Sequence, residues 1–218
     1  MTKSFGHRPV IPPKVVRKAR NTEAAVLQRL LSAYLPDVSD AVGPLYTMDS
    51  GIRPVYQPIR RLVGWALTVK SPPGDNLTVH GALSMVQEGD VLVIDWRGSD
   101  ACATGAGSLV VPRRHGLLGA VVDGGWRDIA ELQAIDFPVF ARSVSPYSPP
   151  KSQAGEINVP VSCGGVVVHP GDVVVADVEG VVIVPLAHAD LVWCTGSSCT
   201  KTSDVGEDLV SGLDPHEW

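Results

Sequence analysis

Two rhythms of apolar residues divide the chain. Val26, Leu27, Leu30 and Leu31 recur at helical spacing and predict an amphipathic helix from Ala24 to Tyr34, entered through the capping stretch Asn21-Thr22-Glu23. Pro36 is expected to end it, with Ser39-Asp40-Ala41-Val42 opening a second short helix and turn-rich sequence running from Gly43 to Pro58. Leu62 to Val69 then reads as a strand. Pro72-Pro73-Gly74 breaks it, and Val79, Leu83 and Val86 share one face of a helix reaching Gln87.

Val91 to Ile94 and Gly119 to Val122 are apolar on both faces and are separated by enough chain for a crossover, which predicts parallel pairing in a buried sheet. A short helix over residues 129–135 and a strand at Val139 to Ala141 follow. Valine-rich runs with glycine turns continue to Pro185, so the pattern is α/β at first and mainly β afterwards. Gly89-Asp90-Val91 returns as Gly171-Asp172-Val173, a recurring turn into a strand rather than a domain repeat.

At 218 residues the chain fits one large domain with flanking arms. A basic N-terminal arm occupies residues 1–22, the main domain residues 23–190, and a divergent tail residues 191–218. In that tail Thr195, Gly196, Ser197, Ser198 and Thr200 are poor helix formers where a surface helix is expected, so it is either irregular or ordered by a partner. A formal charge of -5 provides no basic field for nucleic acid. The apolar runs are strand-sized, too short for a membrane helix, and the basic, proline-interrupted start does not resemble a secretion signal. The expected location is cytoplasmic, with Cys102, Cys163, Cys194 and Cys199 reduced and mostly packed.

Candidate chemistry concentrates in Gly119-Ala120-Val121-Val122-Asp123-Gly124-Gly125-Trp126-Arg127-Asp128, where a buried strand delivers an arginine and an aspartate to the start of a helix. Ligands favour the carboxyl ends of strands in open α/β sheets, where helix N-termini attract anions and a guanidinium can grip a carboxylate through two hydrogen bonds. Asp128 adds a hard oxygen suited to Mg²⁺ or Mn²⁺, which keep several waters and take one or two carboxylates. Taken alone, such a pair is more often a structural ion pair or helix cap. His80 and His115 have no metal-ligand partner at a recognisable spacing. Asp95, Trp96 and Arg97 are secondary candidates for substrate contacts, and Trp126 for shaping the pocket.

Several phrases in order carry a more specific signal: Val38-Ser39-Asp40-Ala41, Gly51-Ile52-Arg53-Pro54, Pro72-Pro73-Gly74-Asp75-Asn76-Leu77, Gly89-Asp90-Val91-Leu92-Val93, the Arg127-Asp128 segment, Phe137-Pro138-Val139-Phe140-Ala141-Arg142 and Gly155-Glu156-Ile157-Asn158-Val159-Pro160-Val161. From about Val38 to Pro185 the chain resembles the RraA-like family, which includes class II 4-hydroxy-4-methyl-2-oxoglutarate/4-carboxy-4-hydroxy-2-oxoadipate aldolases and regulators of ribonuclease E. The resemblance implies a three-layer β/β/α sandwich like the phosphohistidine swivelling domain, assembled as a trimer or hexamer. It implies that Arg127 binds the carboxylate and keto oxygen of a pyruvyl group, that Asp128 anchors a divalent metal partly through water, and that Asn76 lies on the substrate side. The implied reaction is metal-dependent cleavage of a 4-hydroxy-2-oxo acid to pyruvate, with oxaloacetate decarboxylation as a second outcome of the same enolate chemistry.

Two departures from the family pattern bear on that chemistry. The aldolases carry Gly-Glu/Asp-Leu-Leu ahead of the Arg-Asp pair; here that phrase falls on Gly105-Ala106-Gly107-Ser108 without gaps, or on Gly107-Ser108-Leu109-Val110 with a two-residue gap, and the acid is absent either way. Glycine-rich backbone at Gly105, Ala106, Gly107 and Ser108 remains able to cradle an oxyanion. The aldolases also offer a C-terminal glutamate to a neighbouring subunit, for which Asp204 and Glu207 are the nearby candidates, while Asp123 is a candidate for lining the site. The alternatives are a non-catalytic regulator that binds a ribonuclease or another protein, and a degenerate trimer that still binds a small carboxylate.

Overall fold

The computed structural model describes residues 14–16, 24–195 and 198–201. Helices α1 (Ala24–Ser32) and α2 (Leu35–Val42) precede strands β1 (Arg53–Pro54) and β2 (Leu62–Lys70). Three crossovers follow, through α3 (Leu77–Leu83) to β3 (Asp90–Cys102), α4 (Val110–Arg114) to β4 (Gly119–Trp126), and α5 (Ile129–Ala134) to β5 (Val139–Val144). The remainder is β6 (Glu156–Ile157), β7 (Val161–Cys163), β8 (Val166–Val168), β9 (Val173–Asp177), β10 (Gly180–Val184), β11 (Val192–Thr195) and β12 (Ser198–Lys201).

Strands run in the order β1-β5-β4-β3-β2-β9-β10, with β2 through β5 parallel neighbours and the outer pairs antiparallel. The segment before β1 bridges to β10 at Thr47 and Val182 while β1 itself pairs with β5, so the sheet curls until its edges nearly meet. Side-chain alternation explains the layers. Leu67, Val69, Leu92, Ile94, Ala120, Val122 and Val139 pack on one face against Val79, Leu83, Leu109 and Leu132 of the helical layer. Along that face Val63, Trp65, Val173, Val175, Val182 and Val184 are covered by α1 and α2 through Val26, Leu30, Leu35 and Val38. The opposite face, with Ala66, Val91, Val93, Val121, Phe140, Val174 and Ile183, is covered by the β7–β8 hairpin through Val161, Cys163, Val166 and Val168. This is the mixed α/β fold that the sequence pattern predicts, in the β/β/α layers that the family resemblance implies.

Three local differences have physical reasons. Pro36 lies in the first turn of α2, where its missing N–H costs nothing, so it starts a helix as well as ending the one before. β3 and β4 run beyond their apolar cores, to Cys102 and Trp126, because their polar and glycine-rich ends still pair across register shifts. In the early part of the tail β11 and β12 pair antiparallel, where the composition left irregular chain or ordering by a partner open. The repeated Gly-Asp turn has one shared purpose: Asp90 accepts the Gln87 N–H at 2.9 Å and Asp172 the His169 N–H at 2.8 Å, each carboxylate closing the turn that feeds its strand.

Candidate functional site

Three connections meet at the carboxyl ends of the parallel strands. Asn76 starts α3 after β2, residues 103–106 follow β3, and Arg127 and Asp128 follow β4. The Gly-Gly step before Arg127 is part of β4, not a turn that ends it. A Cβ on Gly124 would meet Ser99 O at 2.7 Å and the Trp96 ring, so only glycine lets β4 press against the bulged end of β3.

Asp128 adopts a left-handed backbone, φ 62 and ψ 45, at the start of α5 and makes no side-chain cap to its own helix. Its carboxylate instead turns back across the β3 loop, where Oδ2 accepts the Ala106 N–H at 3.0 Å. Room for it exists because residue 105 is glycine: a Cβ there would be driven into Asp128 Oδ2 and would lie 3.0 Å from Arg127 Nε. Oδ1 lies 3.9 Å from Arg127 Nε, too far for a hydrogen bond. Arg127 and Asp128 side chains are 38 % and 37 % exposed, so the pair is open to a solute rather than sealed in packing.

Unpartnered polar atoms gather around the same loop. Asn76 Nδ2 donates to Ala103 O at 3.1 Å, which fixes the amide's orientation and leaves Oδ1 as a buried acceptor with no partner. Arg127 Nε and Thr104 Oγ1 are likewise buried without a partner among the described residues. Native proteins seldom leave such groups unsatisfied, and a polar ligand would satisfy them. Burial pushes the Cys102 thiol up; the Asp128 charge adds to this and the Arg127 charge opposes it, so the thiol stays neutral. Cys102, Thr104 and Asp75 have no motif spacing of their own, and sequence reasoning gave none of them a role.

Asp75 organises the rim. Its Oδ2 accepts the Ser152 N–H at 2.8 Å, the Ser152 hydroxyl at 2.6 Å and the Gln153 N–H at 3.0 Å, while Oδ1 accepts the Leu77 N–H at 3.1 Å. Burial raises its pKa, but these hydrogen bonds together outweigh burial and hold the carboxyl below its ordinary value. A depressed native pKa contributes stability that is present above the unfolded value and lost as pH falls through the native one. Asp75→Ala is therefore expected to lower unfolding free energy at pH 7 by roughly 1–3 kcal/mol. Urea titrations of both proteins should show the difference shrinking below about pH 4, where the unfolded carboxyl is protonated.

Other candidates separate from this cluster. Asp123 is ion-paired with Arg142 and accepts the Gly164 N–H at 3.0 Å, so it fastens β4 to β5 and to the β7–β8 turn and does not join Arg127 and Asp128. Asp49 shares the same guanidinium, whose hydrogen bond holds the Asp49 carboxyl below its ordinary value despite some burial. Gly107 opens into a hollow of about 660 Å³ between α4 and α5 beside Arg113 and Glu131, and the Ser108 N–H closes a turn on Gly105 O at 3.1 Å. Gly105 and Ala106 are thus the loop residues at the Arg-Asp pair, matching the ungapped placement. Trp96 and Trp126 are fully buried in the core, Asp95 has its pKa raised by burial on the hairpin side of the sheet, and Arg97, whose charge acts on Asp95, has a left-handed backbone, φ 52. Asp204 and Glu207 lie outside the described residues.

No group of three or more His, Cys, Asp or Glu among the described residues gathers to hold a metal. Asp128 has one oxygen fixed by backbone and the other available. That donor set fits an ion that takes a single protein carboxylate and fills its remaining positions with water and substrate, and does not fit a zinc cage.

Fold and site together define a mixed α/β protein with a nearly closed sheet and an accessible arginine-carboxylate pair at its parallel strand ends. The chain belongs to the RraA-like family, whose Aldolase/RraA model matches residues 35–183. It is 41% identical over 176 residues, 80% of this chain and 83% of the relative, to a Halalkalibacterium halodurans protein provisionally named 4-hydroxy-4-methyl-2-oxoglutarate aldolase. Its fold is similar to that of an unusual member of the RNase ES inhibitor RraA family from Streptomyces coelicolor, with a TM-score of 0.70, 28% identity, and coverage of 79% of this chain and 90% of that one. The RNA-processing inhibitor RraA of Thermus thermophilus is also similar, with a TM-score of 0.63, 26% identity, and coverage of 76% of this chain and 97% of that one. Among the described residues no helix is long and apolar enough to cross a membrane.

Proposed function

We propose that the chain is a divalent-metal-dependent aldolase that cleaves a 4-hydroxy-2-oxo acid to pyruvate, using Mg²⁺ or Mn²⁺ and working as a homo-oligomer, a trimer or hexamer. The observation that carries this reading is the Arg127–Asp128 pair, open to solvent and held around Gly105 without bonding to itself. Arg127 keeps its guanidinium donors for the substrate's carboxylate and keto oxygen. Its fixed positive charge opposes the negative charge that builds on the pyruvyl oxygen as the C3–C4 bond breaks. Asn76 Oδ1 is an acceptor and suits a hydrogen bond from the substrate's hydroxyl; the amide orients that group, and its proton passes to water as the carbon becomes a carbonyl. Ala106 N–H holds Asp128 through Oδ2 and leaves Oδ1 as the oxygen that would take the ion. When bound, the ion supplies Lewis-acid polarisation of the 2-keto acid.

Purified protein is expected to release pyruvate from 4-hydroxy-4-methyl-2-oxoglutarate with Mg²⁺ and to lose at least about 90% of that rate in EDTA, as a required Lewis acid demands. Undiminished release in EDTA rejects the metal-dependent mechanism. Oxaloacetate in the same assay tests the decarboxylase activity. A second reading, a regulator that binds a ribonuclease, is supported by the RraA neighbours and by Ala106 standing where the aldolases carry an acid. Stable ribonuclease capture without turnover of any keto acid favours it.

A further inference from the structure

We infer that Cys194 and Cys199, which stand directly opposite each other in the β11–β12 ribbon, form a reversible disulfide by exchange with a low-molecular-weight disulfide, and that this bond locks the ribbon, whatever reaction the strand-end site performs. Backbone register brings the pair together. β11 and β12 are antiparallel, with Val192 opposite Lys201, Trp193 opposite Thr200, Cys194 opposite Cys199 and Thr195 opposite Ser198. Only positions 196 and 197 separate Thr195 from Ser198, so that closing pair exchanges both of its backbone hydrogen bonds. Pairs alternate along an antiparallel ladder, which makes Cys194 and Cys199 a non-hydrogen-bonded pair on one face of the ribbon, with Cα atoms about 4.5 Å apart. Disulfides span Cα separations of about 4.4–6.8 Å, so the strands need no rearrangement to be bridged. The separation is at the short end of that range, where strain makes the bond easier to reduce, and the ring closed is only the six residues 194–199. Both features suit a bond that is made and broken rather than a permanent one.

The other two cysteines do not compete. Cys102 ends β3 and Cys163 ends β7; both are buried, and burial pushes both thiols up, so neither supplies a ready thiolate. The ribbon is a sheet of its own, anchored by packing: Val192 is buried among Val26, Leu30, Leu35 and Val38 of α1 and α2. Two strands alone have little stability, so a covalent tie across them changes how often β12 opens. In the exchange, one cysteine thiolate attacks a sulfur of the small disulfide and expels one small thiolate. The other cysteine then attacks the protein sulfur of the mixed disulfide and expels the second. The protein is oxidised by two electrons, the small disulfide takes them up, and the two thiol protons end on the two small thiols released.

Full-length protein incubated with oxidised glutathione tests this. Thiols counted after unfolding are expected to fall from four to two and to return to four with dithiothreitol. Peptide mapping after alkylation is expected to place the bond between Cys194 and Cys199 of one chain and to find Cys102 and Cys163 alkylated. Cys194→Ser is expected to lose the bond and to carry at most one glutathione, on Cys199. Four remaining thiols, a glutathione adduct that persists in wild type, or a bond to Cys102, to Cys163 or to a second chain overturns the disulfide. Trypsin reads the lock: cleavage after Lys201 is expected to slow roughly tenfold on oxidation, because a short-ring disulfide adds about that much to the cost of opening the ribbon. Cys194→Ser is expected to show no slowing. An unchanged cleavage rate in oxidised wild type overturns the locking role.

Discussion

Arg127→Ala is expected to lower kcat/KM for pyruvate release by roughly 10²–10³-fold, the scale seen when one positioned stabiliser of a developing oxyanion is removed. Stability is expected to change little. The side chain is more than a third exposed, its Nε is buried without a hydrogen-bond partner among the described residues, and its 3.9 Å approach to Asp128 is at the weak limit of an ion pair. Activity and stability therefore separate the two explanations of an arginine followed by an aspartate after a strand. A structural ion pair would lose melting temperature and keep turnover; a substrate grip loses turnover and keeps the melting temperature. Arg127→Lys is expected to fall between, since a point charge replaces a planar fork. Oxalate titrated into wild type and Arg127→Ala supplies a check without chemistry. Equal affinity for oxalate in both proteins would remove the anion-gripping role.

The central strands and the parallel pairing of two of them were legible because each rests on local pattern. Val91 to Ile94 and Gly119 to Val122 announce a doubly covered sheet, and a strand running into a helix start puts Arg127 and Asp128 at the end where ligands bind. What pattern could not convey depends on pairing at a distance. Asp123 lies in the right phrase, but its side chain faces the hairpin side of the sheet, where Arg142, nineteen residues on, claims it. Asp75 has no role that local pattern can show, because the donors that give it one come from Ser152 and Gln153, a separation of 77 and 78 residues. The paired strands at Val192 and Ser198 escaped the reading for a related reason: poor helix formers exclude a helix without specifying a partner strand. Which glycine of the 105–108 loop meets the Arg-Asp pair likewise needed coordinates, since two placements of the same phrase were equally consistent with the sequence.

That ambiguity yields the sharpest structural prediction. Gly105→Ala puts a methyl group where Asp128 Oδ2 lies and 3.0 Å from Arg127 Nε, with the Ala106 N–H bond to the same carboxylate beside it. Asp128 cannot keep its place, and no flexible chain end lies there to give way, because the aspartate is short and its backbone is held in a left-handed turn at the start of α5. Overpacking of this kind costs about 1–3 kcal/mol, and the displaced carboxylate takes the proposed metal position with it. Gly105→Ala is expected to reduce Mg²⁺-dependent turnover about a hundredfold or more, comparable to loss of a catalytic stabiliser. Its Mg²⁺ requirement should shift to higher concentration. Gly107→Ala makes the contrasting case, since an added Cβ there meets nothing within 4 Å and replacing a helical-turn glycine stabilises by about 0.4–1 kcal/mol. Thermal melts and Mg²⁺ titrations of the two variants together discriminate the placements. If Gly107→Ala abolishes turnover while Gly105→Ala is tolerated, the phrase belongs two residues further on and Asp128 is not held as described.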